Sequence, residues 1–299
     1  MGAWQLAPLP LAAAATACFA YGQGFLRLRT RRRSLARTGP AVAFGGGSAV
    51  ALLAVCSPLD ALGEDRLLTA HMAQHLLLGD VAPLLLVLGL RGPIAVFALP
   101  IALLKPLARR DALRRLLRLL LRPRVSFAVW VATVYGWHDP DLYGAAIAHP
   151  LLHDLEHASF LLAGLLVWVQ IVDPTGRGRL TPGGRATFAA SLLLAGMPLA
   201  EILIGSGPLY PHYTAIAHRP FGLTAAADQT KAGLLMMAEQ AATLVPAAAL
   251  LAWSHAERGA AHNPARRAPR VEAGRARRPA APAEVGPPSS SSGHPAGGR

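Results

Sequence analysis

Charge is scarce in this chain. Only 15% of its 299 residues are Asp, Glu, Lys or Arg, where soluble domains carry about a quarter. A water-soluble globule of this size could hide its recurrent apolar runs, each near bilayer-spanning length, only in a very large core, so a polytopic membrane protein is expected. Cysteine is almost absent. Cys18 and Cys56 both lie within apolar runs, too few for a disulfide framework and uninformative about compartment. The sequence has no CxxC, no CxxCH, no phosphate loop and no Ser/His/Asp hydrolase signature, so nothing argues for a classical soluble enzyme. A cleavable signal peptide is not expected either. The first apolar run, Leu6 to Leu26, has no Lys or Arg before it and a dense basic cluster after it, the reverse of a secretory signal and consistent with an uncleaved span whose N-terminus is outside.

Acidic residues are the scarcer charge, 16 against 29 Lys and Arg, for a net charge of +13. Nucleic acid is rejected as the partner, because the basic residues sit between apolar spans and in the tail, as the positive-inside rule predicts. Seven spans are expected, at about 6–26, 40–57, 67–90, 119–138, 151–172, 186–206 and 229–253. With the N-terminus outside and the C-terminus inside, 26 Lys and Arg fall on the inner face; only Arg66, Arg219 and Lys231 fall outside. The fourth span is the shortest and requires Arg122 and Arg124 to snorkel. Without it the later basic segments would lie on the wrong face. Arg110, Arg114, Arg118 and Arg122 repeat every four residues between leucines, which predicts a basic amphipathic helix on inner-leaflet lipid. Three regions follow: the first span and its basic loop (1–39), a membrane domain (40–254) and a disordered basic cytoplasmic tail (255–299), rich in Arg, Ala, Pro, Gly and Ser.

Histidine is distributed unlike arginine. Eight of the eleven fall at the outer helix ends. His71 and His75 open the third span in HMAQH, and His153 and His157 open the fifth in HDLEH. Spacing i, i+4 puts both imidazoles of a pair on one helix face, about 6 Å apart at Cβ, where they can chelate one metal ion. His138 closes the fourth span at the same depth. His149, His212 and Asp228 are secondary candidates, and Cys56 a weaker one. Interfacial histidines that merely cap or hydrogen-bond are the bland alternative. Both pairs lie near helix N-termini, where the dipole disfavours positive charge and holds the rings neutral. Asp154, Glu156 and Asp228 are available to offset that field. Asp80, Glu201 and Glu239 are intramembrane acids, costly and functional by default; Asp80 falls about 140° around an ideal helix from His75. The loop 205–222 (GSGPLYPHYTAIAHRPFG) is expected to lie over the histidines.

Three blocks, HMAQHLLLGDVAPLLLVLG, WHDPDLYGAAIAHPLLHDLEHASFLLAGLLVW, and GPLYPHYTAI followed by DQTKAGLLM, resemble the polytopic CtaG family of bacterial cytochrome c oxidase assembly proteins over about residues 40–253. Leu84 stands where a second proline is expected. The resemblance implies an all-α multi-pass protein of the bacterial plasma membrane, an assembly factor and not an enzyme, whose partner is the oxidase subunit carrying a copper centre. His71, Gln74, His75, Trp137, His138, His149, His153, Glu156, His157, Tyr210, Pro211, Tyr213, Asp228 and Gln229 are its motif positions. With the histidine pattern, it predicts that copper is held by His71, His75, His153 and His157, with His138 as a fifth candidate. The alternatives are a haem b protein with axial histidines on two helices, a proton-coupled carrier using Glu201 and Glu239, and a metal-free assembly scaffold.

Overall fold

Proline marks where this chain starts its helices. Pro8, Pro58, Pro123, Pro140, Pro150, Pro182 and Pro211 each occupy the first turn of one, where the missing N–H has no partner to lose and φ is already helical. The computed structural model describes residue 4, residues 7–92, residue 94 and residues 109–262. Within these the helices are α1 (Pro8–Arg31), α2 (Thr38–Cys56), α3 (Pro58–Asp65), α4 (Leu68–Leu76), α5 (Ala82–Gly89), α6 (Asp111–Leu120), α7 (Pro123–Trp137), α8 (Pro140–Ala148), α9 (Pro150–Val172), α10 (Pro182–Gly205), α11 (Pro211–Thr214) and α12 (Ala225–His262). No strand occurs among the described residues. The tail beyond 262 lies outside them.

Six helices are long and apolar enough to cross a membrane: α1, α2, the α4–α5 unit Leu68–Gly89, α9, α10 and α12 over Ala225–Glu257. The expected fourth span, 119–138, is present as the 15-residue α7, beginning at Pro123. Proline cannot continue a helix, so the chain breaks at Leu121 and Arg122 and the basic repeat forms the separate helix α6, which buries nothing. At about 1.5 Å per residue α7 is short for a bilayer. It is nonetheless part of the bundle, packed against α9 and α10, with the Tyr135 hydroxyl donating to the Ala195 carbonyl of α10 at 2.7 Å.

A π turn, Leu77–Val81, joins α4 to α5. Pro83 explains its place: the ring has no N–H for the Gly79 carbonyl and would crowd it in a regular helix. Helix α9 lies directly on this wide turn. A Cβ on Gly164 would collide with the Gly79 carbonyl oxygen and come within 2.7 Å of Pro83 Cγ, so the contact requires glycine at 164. Two apolar clusters flank this level. One gathers Met72, Trp137, Tyr143, Phe160, Leu203 and Tyr213; the other gathers Val87, Trp168, Ile171, Phe188, Leu192 and Leu244. At the far end of α9, Arg185 caps the last turn by donating to the Ile171 and Val172 carbonyls at 2.6 and 2.7 Å, a cation placed at the negative end of the dipole.

Gly164→Ala is expected to cost about 1–3 kcal/mol, the range for overpacking a filled interior. It should lower the thermal unfolding temperature in detergent. An unchanged temperature would mean that α9 does not sit this close to the π turn.

Candidate metal centre

The site is built where α4 and α9 begin side by side. Each helix presents its i, i+4 histidine pair to the other, and all four imidazoles are buried. The His153 and His157 rings are 4.1 Å apart, His71 and His75 4.4 Å, His71 and His153 5.4 Å, and His75 and His157 5.5 Å, centroid to centroid. Glu156 joins them: one residue before His157 and three after His153, it reaches to 3.4 Å from His75 Nε2 and is fully buried. Side-chain donor atoms of His71, His75 and His157 all lie within 4.8 Å of one another, and so do those of His71, His153 and Glu156.

Hydrogen bonds outside the cluster decide which ring nitrogens face inward. The Tyr213 hydroxyl donates to the Gly63 carbonyl at 2.7 Å, which can only accept. Its oxygen then accepts from His71 Nδ1–H at 3.1 Å, leaving the lone pair of His71 on Nε2, turned to His75 Nε2 at 2.9 Å. His153 Nδ1 is 2.9 Å from Glu64 Oε1, so its Nε2 carries the free lone pair. This carboxylate–histidine arrangement orients and strengthens metal-binding imidazoles. His153 Nε2, His157 Nε2 and both Glu156 oxygens are buried without a hydrogen-bond partner among the described residues. That is unusual for buried polar atoms and is the donor set a cation would satisfy.

The loops add a roof. Burial pushes the Tyr143 and Tyr213 hydroxyls well above the ordinary phenol range, so both stay protonated and able to donate. Tyr143 meets Tyr213 at 3.1 Å, and the Tyr210 hydroxyl donates to the His138 carbonyl at 3.2 Å. Gln229 holds the loop strand by accepting from Leu209 N–H at 2.7 Å and donating to the Gly207 carbonyl at 3.0 Å. Below the roof, Gln74 donates to Asp60 Oδ1 at 2.5 Å; burial raises the Asp60 carboxyl above its usual range, against that bond. One flank of the cluster is open. His153, His157, Asp60, Glu64 and Asp154 lie on the wall of a cleft of about 750 Å³ between α1, α2 and α9.

The other expected residues stand apart. His138 is buried, its Nδ1–H donating to the Val134 carbonyl at 2.6 Å; Phe160 packs against both it and His75, and it joins neither ligand group. His149 is exposed at the N-cap of α9, ahead of Pro150. His212 Nε2 bonds the Glu64 carbonyl at 2.7 Å, steadying α3 instead of facing the cluster. Asp228 accepts from the Leu68 and Thr69 N–H groups at 2.8 and 3.0 Å and from the Thr69 hydroxyl at 2.6 Å. It therefore caps α4 from across the bundle, a role that engages both oxygens of its carboxylate. Cys56 is buried and free but joins no ligand group. Glu201 is exposed. Asp80 and Glu239 lie deeper, at a separate cavity. Glu156 and Glu64 are the additions. The i, i+3 spacing from His153 signals Glu156, whereas no periodicity links Glu64 to the cluster.

The fold and site define a multi-helix membrane protein with a buried imidazole–carboxylate centre at one end of its bundle. The chain belongs to the cytochrome c oxidase caa3 assembly factor family, which matches residues 19–258. It is also similar to uncharacterized proteins of Mycobacterium bovis and Mycobacterium tuberculosis, each 30% identical over 203 residues, 65% of this chain and 30% of the relative. The chain thus spans about a third of the length of these relatives. No solved structure matches it.

Asp228→Ala strands two backbone donors and should cost about 2 kcal/mol of stability while leaving the amount of bound metal unchanged. Loss of metal from a protein that unfolds at the wild-type temperature would instead make Asp228 a ligand.

Proposed function

We propose that this protein, an oxidase assembly factor by family, handles copper for the copper-bearing subunit of cytochrome c oxidase. The observation that carries the reading is the convergence of four buried imidazoles and an unpartnered Glu156 from two helices on two triads that share His71, His71/His75/His157 and His71/His153/Glu156, each compact enough for one ion. Imidazole with carboxylate suits Cu(II) or Zn(II) more than Cu(I), for which sulfur ligands are preferred. Copper is cargo here, and the site is suited to transfer. Two helix N-termini point their positive ends at the cluster, which weakens retention, while Glu156 offsets part of that field. Asp60, Glu64 and Asp154 on the cleft wall give an arriving cation an acidic approach from the side.

The positive-inside distribution supports an orientation with the histidine end on the outer face of a bacterial plasma membrane and the C-terminus inside. That is where a copper site of the oxidase would be loaded. The rings contact one another directly, an arrangement that favours a single ion over a macrocycle held between axial ligands.

Detergent-purified protein, reconstituted with Cu(II), should hold close to one equivalent. The His71→Ala/His153→Ala variant should lose it. Tyr213→Phe should weaken affinity about 10–100-fold, as loss of an orienting partner does. A wild-type protein that binds no copper ends the copper reading and leaves a scaffold role; a Soret band in place of copper would shift it to haem.

A further inference from the structure

Below the histidine cluster, toward the middle of the bundle, α4, the π turn, α7, α9, α10 and α12 line a cavity of about 50 Å³. Its wall carries four titratable groups, His75, Asp80, His138 and Glu239, together with Gln240, and no Lys or Arg among the described residues. The rest is apolar, including Met72, Trp130, Phe160 and Leu192. Several polar atoms on this wall have no hydrogen-bond partner among the described residues although they are buried: both Glu239 carboxyl oxygens, Gln240 Oε1, His75 Nδ1 and His138 Nε2. Gln240 is only 6% exposed and is seated against Gly196, where any Cβ would strike its amide. A polar side chain so deep, kept in place by a glycine and left without a donor, points to something in the cavity that donates to it.

The two carboxyl groups differ in what surrounds them. Asp80 accepts from Trp168 Nε1–H and from the Thr243 hydroxyl, the latter at 2.7 Å. Glu239 receives no donor from the described residues and lines the same small cavity as Asp80. Two carboxylates on the wall of one 50 Å³ cavity, in a low-dielectric interior with no cationic side chain on the described wall, do not both ionise. Donors stabilise the charged form, and their absence the neutral one. The negative charge therefore belongs on Asp80 and the proton on Glu239.

We infer that this cavity is a hydrated proton-binding site, in which Glu239 carries a proton and donates it to an ionised Asp80, and water fills the space between this pair, Gln240 and the inward nitrogens of His75 and His138. The volume suffices for a few water molecules, each needing about 10–15 Å³ of such space and two to four polar partners. The unpartnered atoms supply those partners. The site is a proton store in the bundle interior that shares the His75 ring with the metal centre, while its proton-bearing pair, Asp80 and Glu239, belongs to neither ligand group.

The test is infrared spectroscopy of the full-length protein in detergent, taken as the difference between wild type and Glu239→Gln so that other buried acids such as Glu156 cancel. One protonated-carboxyl C=O stretch should appear. It should shift to lower wavenumber when the buffer is exchanged to D2O, because the cavity is wet. In Asp80→Asn it should persist at higher wavenumber, its charged acceptor exchanged for a weaker, neutral amide oxygen. Absence of the band from the difference spectrum overturns the proposal, as does a band that stays at the same wavenumber in Asp80→Asn, which would mean that Glu239 does not donate to Asp80. A band that ignores D2O after prolonged exchange overturns the hydrated site. None of these readouts depends on copper.

Discussion

The hydroxyl of Tyr213 is where the site is decided. It has one hydrogen to give and gives it to Gly63, whose carbonyl can only accept. Its lone pairs must then receive from His71 and Tyr143. That single oxygen ties α3, α4, α8 and α11 together and fixes the tautomer of His71. The tautomer determines which nitrogen looks inward, and through the 2.9 Å contact with His75 it sets what the second ring can do. An unmade hydrogen bond at such depth costs about 1–3 kcal/mol. The network is therefore satisfied on its outer side and left unsatisfied on its inner side, where a cation would bind.

Along the bundle the polar groups are sorted by what pairs with them. The roof is held by tyrosines, backbone carbonyls and the amide of Gln229, all neutral. Next come imidazoles and Glu156, short of donors and acceptors of their own. Deeper, Asp80 has its donors and Glu239 does not. At the far end, arginines take over, with Arg185 closing α9. Each layer is bordered by an apolar cluster that keeps the dielectric low, so every pairing in it matters more than it would at a surface.

The helical architecture was legible because apolar length and arginine placement record it directly, and the two histidine pairs were legible because i, i+4 spacing implies a shared face. That the pairs confront each other was not, since spacing along one helix says nothing about its neighbour. Pro123 marks the start of α7, yet the leucines before it read as part of a span because Arg122 and Arg124 interrupt the run no more than snorkelling side chains would. Asp228 resembles a ligand in the sequence because it stands at the right depth. Only the packing of α12 against α4 reveals that it serves two backbone amides. Glu64 was invisible because its role depends on how the short helix α3 packs against α4, which residue spacing does not reveal.

The π turn at Leu77–Val81 has a consequence for how this chain tolerates change in length. On an ideal helix Asp80 would point well away from His75; the wider turn lets both face one cavity. Each residue of an α-helix advances about 100° around its axis. The turn holds one residue more than an α-helix would, so deleting one here would let ordinary helix re-form with α5 near its present face, whereas deleting a second would swing the face of α5 that fits against α2 out of register with His71 and His75. The segment between His75 and Pro83 thus has a spare residue that a regular span lacks, and a gap of two there would be more damaging than most substitutions within it.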